Sequence, residues 1–422
     1  MAADRTLLVT VTGRDRPGVT SALFGALAGA DIEVVDVEQV VIRGRLVLGV
    51  LVSVGDDEAK VRAELDEVAE HLGMDVEVSA GAEEDAPRVG GQLHVTVLGH
   101  PLRPAAVAAV AACIAGCGAN IDRITRLSRY PVTSLELDLS GADDPTRLRR
   151  ELVAEAAAGD FDIAVQPAGL HRRAKRLVVM DVDSTLIQAE VIELLAERAG
   201  QGAEVARVTE AAMSGELDFE ASLRQRVSLL AGLPAEALDE VRNAVILTPG
   251  ARTLVRTLKR LDHEIGIVSG GFTQVTDPLA TDLGLHYSAA NTLEIVDGRL
   301  TGRLVGPIID RPGKAAALER FAAAAGVPLS QTVAIGDGAN DLDMLARAGL
   351  GVAFNAKPVV REAAEVSLSV PYLDAILFLL GITREEVEAA DAGEVHLPPP
   401  KQGRGASPAS PEASNPPGLA RP

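Results

Sequence analysis

The chain has 422 residues, 47% of them hydrophobic but only 2% aromatic, and a formal net charge of −20. Its length calls for more than one domain, and its apolar content supplies cores of Ala, Val and Leu and excludes general disorder. The acidic balance excludes a nucleic-acid or anionic-membrane surface, either of which needs clustered Lys and Arg.

In chain order, the start "MAADRTLLVTV" carries no signal-peptide pattern. The longest small apolar run, 105–115, is too short to span a bilayer, so a soluble, cytoplasmic protein is expected. The first part repeats. "RTLLVTVTG" alternates as a strand does, and "QLHVTVLG" looks the same. Each is followed by a proline-containing turn ("RDRPG", "HPLRP"), a small-residue helix, two strand segments, a charged helix and a last short strand. Two β-α-β-β-α-β units are therefore predicted, at 5–80 and 91–168, each packing two helices on one face of a four-stranded antiparallel sheet. Cys113 and Cys117 fall one helical turn apart, too few ligands for zinc and poorly set for a disulfide, so both are expected to be buried thiols.

From Arg176 the rhythm changes to alternating strand and helix, the sign of a parallel doubly wound sheet, over a unit spanning 174–385. "LVVMD", "EIGIVS", "HYSAA", "TVAIGD" and "LGVAF" read as strands, and "LEIVDGRLTG" as a hairpin turning on Asp297-Gly298. One long helical stretch, from Ile187 to about Ala244, follows the first strand and reads as an inserted cap over about 187–247. The Pro/Ser/Gly-rich segment 390–422 is expected to be a disordered tail.

Ligands of parallel sheets sit at the carboxyl ends of the strands. "DVDST" puts Asp181 and Asp183 there, either as turn aspartates capping a helix or as a nucleophile beside an acid/base. "AIGDGAND" brings Asp337, with Asn340 and Asp341, to the end of another strand; the pair of strand ends suits Mg²⁺, although a glycine-rich turn with an Asx cap has the same look. "GIVSGGF" ends a third strand with Ser269-Gly270-Gly271, where a hydroxyl and open backbone N–H groups can meet phosphate or simply make a tight turn. Lys314 stands in the first turn of a helix, against the helix dipole. Either a phosphate in front of it resolves the conflict, or its ammonium reaches out to water. On the cap, Phe219, Leu223 and Arg226 share one helix face, so the Arg226 stem packs there with its head in water or gripping a ligand.

The order DxDST, SGG, K, GDGxND over 177–380 resembles the haloacid dehalogenase-like phosphohydrolases, and "DVDSTLIQAEVIELLA" with "FEASLRQRVSLL" resembles their phosphoserine phosphatase branch. The two upstream units resemble ACT domains, repeats that commonly sense amino acids. The implied fold is α/β: two ferredoxin-like α+β ACT domains followed by a Rossmann-like haloacid dehalogenase-type domain with a helical cap.

The resemblance implies a Mg²⁺-dependent hydrolysis of O-phosphoserine. Asp181 is then the nucleophile and Asp183 the general acid and base. The Asp181 and Asp337 carboxylates and the Asp183 carbonyl hold the metal, supported by Asp341. Ser269, Gly270, Lys314 and Asn340 meet the phosphate; Glu190 meets the substrate ammonium, Arg226 its carboxylate, and Phe219 closes the lid. It also implies serine as an effector at the first repeat, around Gly13, Asp15, Gly18 and Asp36, with a weaker site in the second repeat, where Pro104-Ala105 replaces Pro17-Gly18. A homodimer pairing the open sheet edges is expected. Phosphoryl transfer to an alcohol such as homoserine, or a non-catalytic amino-acid sensor, are the alternatives.

Overall fold

The computed structural model describes residues 5–29, 32–54, 58–80, 92–169, 172, 174–213, 218–364 and 366–393. The chain divides into two compact units, 1–89 and 90–422.

The first unit is one repeat: β1 (Arg5–Arg14), α1 (Val19–Leu27), β2 (Ile32–Ile42), β3 (Arg45–Val54), α2 (Glu58–Leu72) and β4 (Asp75–Ala80), with antiparallel sheet order β2-β3-β1-β4. Alternation puts Leu7, Val9 and Val11 of β1 inward, against Val19, Leu23 and Leu27 of α1 and Val61, Leu65 and Leu72 of α2. On the opposite face Leu8, Val47 and, along β2, Val40 and Ile42 are exposed, and edge strand β2 leaves Val34, Val37 and Val41 exposed on its helix-side face as well.

The second unit opens with the other repeat: β5 (Leu93–Gly99), α3 (Pro104–Gly116), β6 (Asn120–Ser128), β7 (Thr133–Ser140), α4 (Pro145–Ala158) and β8 (Asp162–Pro167), in order β6-β7-β5-β8. Here both sheet faces are covered. Val95 and Val97 meet the helices, while Leu98, Leu127, Val132 and Ala164 belong to the same buried cluster as Val178, Ile376 and Leu379 of the following α/β unit. Polar ties cross the same boundary. Gln166 Nε2 and Arg172 Nε donate to the Leu379 carbonyl at 3.0 and 2.9 Å, Arg172 Nη2 donates to Phe378 O at 2.9 Å, and Ser369 N donates to Asp162 Oδ2 at 2.6 Å. Arg172 also pairs with Glu136. Cys113 lies in α3 and Cys117 caps it. Both are free and half-buried rather than buried, and the Cys117 thiol donates to Glu151 Oε2 at 3.2 Å.

The α/β unit has seven strands, β9 (Leu177–Asp181), β10 (Glu264–Phe272), β11 (Tyr287–Val296), β12 (Arg299–Val305), β13 (Thr332–Gly336), β14 (Gly351–Phe354) and β15 (Val366–Leu368), in order β12-β11-β10-β9-β13-β14-β15. All pairs are parallel except the β11–β12 hairpin, whose turn at Asp297 (φ 47°) and Gly298 (φ 72°) has the two positive φ values that a tight hairpin needs. β9 is central and the chain winds outward from it in both directions, which opens a crevice at its carboxyl end.

The insertion after β9 is four helices rather than one stretch: α5 (Val191–Arg198), α6 (Gly202–Met213), α7 (Phe219–Ser228) and α8 (Glu236–Ala244). Left-handed Gly200 (φ 68°) and Gly232 (φ 84°) break it, and Asp218 starts α7 by accepting from Ala221 N at 2.7 Å. The remaining helices are α9 (Ala251–Arg260), α10 (Thr273–Leu283), α11 (Arg311–Ala325), α12 (Leu342–Arg347), α13 (Pro358–Ala363), α14 (Ile376–Leu379) and α15 (Arg384–Asp391). α15 carries a Thr383/Glu386 capping box and runs to Asp391; the expected tail beyond 393 lies outside the described residues. Among the described residues no helix is long and apolar enough to cross a membrane.

Candidate active site

β9 ends on Asp181, and the chain then makes one wide turn, Val182–Leu186, closed by Ile187 N donating to Val182 O at 3.0 Å. Ser184 sits in this turn at φ 57°, a left-handed conformation that costs a non-glycine residue about 1–3 kcal/mol. It is held there by its hydroxyl, which donates to Glu190 Oε1 at 2.9 Å. Asp181 and Asp183 thus leave the strand end by different routes. Asp181 turns into the crevice and is buried, accepting from Val182 N at 2.8 Å. Asp183 accepts from Val191 N at 2.8 Å through Oδ1 and from the Ser269 hydroxyl at 2.7 Å through Oδ2.

Ser269 is therefore committed to Asp183 and, through Gly271 N donating to it at 2.7 Å, to its own turn; the phosphate contact expected of its hydroxyl is not what that hydroxyl makes here. Gly271 has to be glycine, because a Cβ there would stand 2.8 Å from Ser269 Oγ and 3.0 Å from Asp183 Oδ2.

Lys314 resolves the puzzle of a cation early in a helix. Its side chain is fully buried in the core of the crevice, with Nζ 2.8 Å from Asp181 Oδ1 and 2.7 Å from Asp341 Oδ1. Burial alone would lower its pKa, but the two carboxylates outweigh that and hold it above its ordinary value. It neither reaches water nor lacks a partner. Asp341 is also spent: its Oδ2 accepts from Gly338 N at 2.9 Å.

Asp337, at the end of β13, accepts from the Thr185 hydroxyl at 2.8 Å and is pushed up to about 6, first by burial. Burial and the charge of Asp341 likewise push Asp181 up. One ammonium among three carboxylates leaves the cluster short of positive charge. Asp181, Asp337 and Asp341 bring carboxylate oxygens within 4.8 Å of one another, and Oδ2 of both Asp181 and Asp337 accepts no hydrogen bond from the described residues. A set of hard oxygen donors with spare lone pairs and uncompensated charge fits a small divalent cation.

Over this floor stands the cap. A cavity of about 640 Å³ is lined below by Asp181, Asp183, Lys314 and Asp337 and above by Glu190, Phe219, Leu223 and Arg226. Phe219, Leu223 and Arg226 share the cavity-facing side of α7, as their spacing predicts. The Phe219 ring lies over Gly270, where a Cβ would come 3.3 Å from its Cζ. Arg226 is mostly buried, which pulls its pKa down while Glu190, Glu193 and Asp183 pull it back up. Glu190 is pushed up to about 7 by burial and then by Asp183. Gly270, Asn340 and, of the predicted acids, Asp181, Asp183, Glu190 and Asp337 line one cavity, whereas Asp341 and Ser269 are fully buried and do not line it.

Sequence reasoning missed Thr185 and Asn291, which set the site from behind. Asn291 Nδ2 donates to Gly270 O at 2.8 Å and its Oδ1 accepts from Ile309 N at 2.8 Å. Thr185 was visible as a hydroxyl next to the DxD pair, whereas Asn291 lies mid-strand with no local signal.

The residues assigned to an effector do not all converge. Gly13, Asp15 and Gly18 share the β1–α1 loop, with Gly18 (φ 97°) as the cap of α1. Asp36 pairs with Leu51 of β3, whereas Gly13 pairs with Leu46, a separation of about 17 Å along the strand. In the second repeat Pro104 is already the first residue of α3 and Arg103 its cap, so Ala105 is not the counterpart of Gly18.

Residues 178–346 match the haloacid dehalogenase-like hydrolases, and 5–79 and 92–166 match ACT domains. A phosphoserine phosphatase of Streptomyces coelicolor is 64% identical over 92% of this chain and 94% of its own length. The chain belongs to the phosphoserine phosphatase family. Phosphoserine phosphatase SerB2 of Mycobacterium tuberculosis is 56% identical over 93% and 97% of the two chains. Among solved structures, a probable phosphoserine phosphatase from Vibrio cholerae superposes with a TM-score of 0.55 at 36% identity, covering 71% of this chain and 88% of that one. Hydrolases of this fold are generally metal-dependent, in keeping with the acidic cluster.

Proposed function

We propose that the chain hydrolyses O-phospho-L-serine to L-serine and phosphate, the last step of serine biosynthesis, and that Asp181 carries the phosphoryl group between the two half-reactions. The observation that carries this reading is one cavity with two differently charged ends: the Asp181–Lys314 pair at the floor, and Glu190 with Arg226 under the cap. A phosphate suits the first and an amino-acid zwitterion the second.

Asp181 attacks phosphorus with the oxygen that accepts no hydrogen bond, while Lys314 holds the other and balances charge on the phosphoryl oxygens. Asp183, anchored by Val191 N and Ser269, protonates the departing serine oxygen. It then takes a proton from the water that cleaves the acyl phosphate, so it ends as it began. Arg226 grips the substrate carboxylate, Glu190 its ammonium, and Phe219 over Gly270 keeps water out. Asn340 and the Gly270 backbone meet the phosphoryl oxygens. The Asp181 and Asp337 carboxylates and the Asp183 carbonyl would hold Mg²⁺, with Asp341 in support through Lys314. When bound, the ion offsets the charge of the phosphoryl group.

The loop of Gly13, Asp15 and Gly18 is the proposed serine-sensing element, and the open β2 edge with its exposed valines the surface on which two copies pair. Phosphate release from O-phospho-L-serine with Mg²⁺, repeated with EDTA and with homoserine added, tests the reading. Mg-dependent release, unaffected by homoserine, is expected. Activity retained in EDTA, or quantitative transfer to homoserine, would overturn it.

A further inference from the structure

The chain has only two cysteines, and neither lines the active-site cavity. Cys113 and Cys117 stand one turn apart at the C-terminal end of α3, with their thiols half-buried and free. The sequence alone offers two donors there. The fold adds a third, because α4 packs beside α3 and brings Glu151 to the pair, where its Oε2 accepts from the Cys117 thiol at 3.2 Å. One donor atom from each of Cys113, Cys117 and Glu151 lies within 4.8 Å of the other two. The ligand atoms of a tetrahedral zinc stand about 3.3–3.8 Å apart, so small side-chain rotations close the set.

Two further details point to a ligand. Arg147 Nε donates to Glu151 Oε1 at 2.7 Å, which fixes the carboxylate from behind and leaves Oε2 turned to the thiols. Cys113 and Glu151, with Glu155, also line a shallow opening of about 410 Å³, where Ala109, Ala112 and Ala154 keep the approach free of bulk. An ion can therefore reach the donors from solvent, and water can hold the fourth position.

The donor chemistry selects the ion. Mg²⁺ and Ca²⁺ take oxygen donors, whereas two thiolates favour a borderline-soft divalent cation. Competing uses of the thiols fit less well. One helical turn is a poor span for a disulfide. Burial, then the charges of Cys117 and Glu151, push the Cys113 thiol up to about 11, so it is a weak nucleophile at neutral pH. A bound cation relieves that same crowding of negative charge.

We propose that Cys113, Cys117 and Glu151 bind one Zn²⁺ ion, as thiolate, thiolate and carboxylate, and that the ion clips α3 to α4. Binding releases one proton from each thiol to solvent. The two helices cover one face of the sheet whose other face packs on the catalytic core, so the clip stiffens the repeat against which that core rests. The site shares no residue with the acidic cluster around Asp181, and the proposal is independent of the phosphatase reading.

The test uses the full chain with its thiols reduced and saturating Mg²⁺ present to occupy the oxygen-donor cluster. Cd²⁺ is the first probe, because its bond to thiolate gives an ultraviolet charge-transfer band that carboxylates alone do not. The band should saturate at one Cd²⁺ per chain. Zn²⁺ at a hundredfold excess over its Kd should slow thiol modification by an aromatic disulfide reagent about tenfold or more and raise Tm by about 2 °C or more. Cys113→Ser and Cys117→Ser should each abolish tight binding, and Glu151→Gln should weaken it about tenfold or more. No thiolate band, saturation at one ion per two chains, or a Kd within threefold of native in Glu151→Gln overturns the proposal. Should a serine variant fail to fold, the native band and the Glu151→Gln titration decide.

Discussion

Asp183→Asn separates chemistry from folding better than any other single change. In the native protein Asp183 accepts two hydrogen bonds, from Val191 N and the Ser269 hydroxyl. Asparagine keeps a carbonyl oxygen for Val191 N and turns its amide toward Ser269 Oγ, which has a second lone pair beside the one that Gly271 N occupies. Both charge-assisted bonds become neutral ones, at a cost of about 2 kcal/mol and a Tm lower by about 4–8 °C. The same change removes the proton carrier that the proposed mechanism uses in both half-reactions. General acid–base catalysis contributes about 10² to 10⁴ in rate, so kcat on phosphoserine should fall by that much, equivalent to about 3–5 kcal/mol of barrier. Initial rates of phosphate release at saturating substrate, with melting temperatures from calorimetry, measure both effects. With p-nitrophenyl phosphate, whose leaving group needs no proton, a stoichiometric burst should precede the slow phase. A kcat within about threefold of the native value, or a Tm loss large enough to account for the inactivity, would refute the assignment.

Arg226→Ala should raise KM for phosphoserine about 10- to 150-fold, the worth of a charged hydrogen bond of about 1.5–3 kcal/mol, while p-nitrophenyl phosphate changes little; equal losses on both substrates would remove the carboxylate clamp. Lys314→Met strands two buried carboxylates without their shared cation, so stability should drop by about 3–5 kcal/mol, and an unchanged Tm would contradict the buried pairing. Glu190 is raised from 4.5 to about 7, so the free enzyme should lose kcat/KM for phosphoserine as pH falls through 7, when protonation removes the ammonium's partner. For stability the sign is opposite: a raised carboxylate favours the fold most below pH 4.5, and that contribution fades as pH climbs through about 7. Glu190→Gln should abolish the kinetic limb, and a limb that persists would assign it elsewhere.

The strand-end acids were legible because the geometry that delivers them is local. An apolar run of five residues ending in Asp reads the same in sequence as it stands in β9, and Asp297-Gly298 demands its turn. What stayed hidden depends on partners far along the chain. Lys314 looked unpaired because Asp181 and Asp341 reach it only in the fold, and the bond of Ser269 to Asp183 links positions 86 residues apart. β15 is three residues long, too short for a period to show. The cap read as one stretch because its breaks fall at Gly200 and Gly232, whose left-handed φ is a backbone fact that composition only hints at. Asp36 was grouped with Gly13 through the resemblance to ACT domains, and strand register sets them apart along the sheet.

The merged packing of Leu98, Leu127, Val132 and Ala164 with the catalytic core has a practical corollary for protein engineering. A fragment cut behind Pro167 would carry a greasy scar where that sheet had been, the Leu379 carbonyl would lose its Gln166 donor, and Arg172, left in the fragment, would lose Glu136. Any minimal version meant for inhibitor screening should begin ahead of Leu93, so that the second repeat travels with the enzyme as scaffolding and not as a detachable accessory.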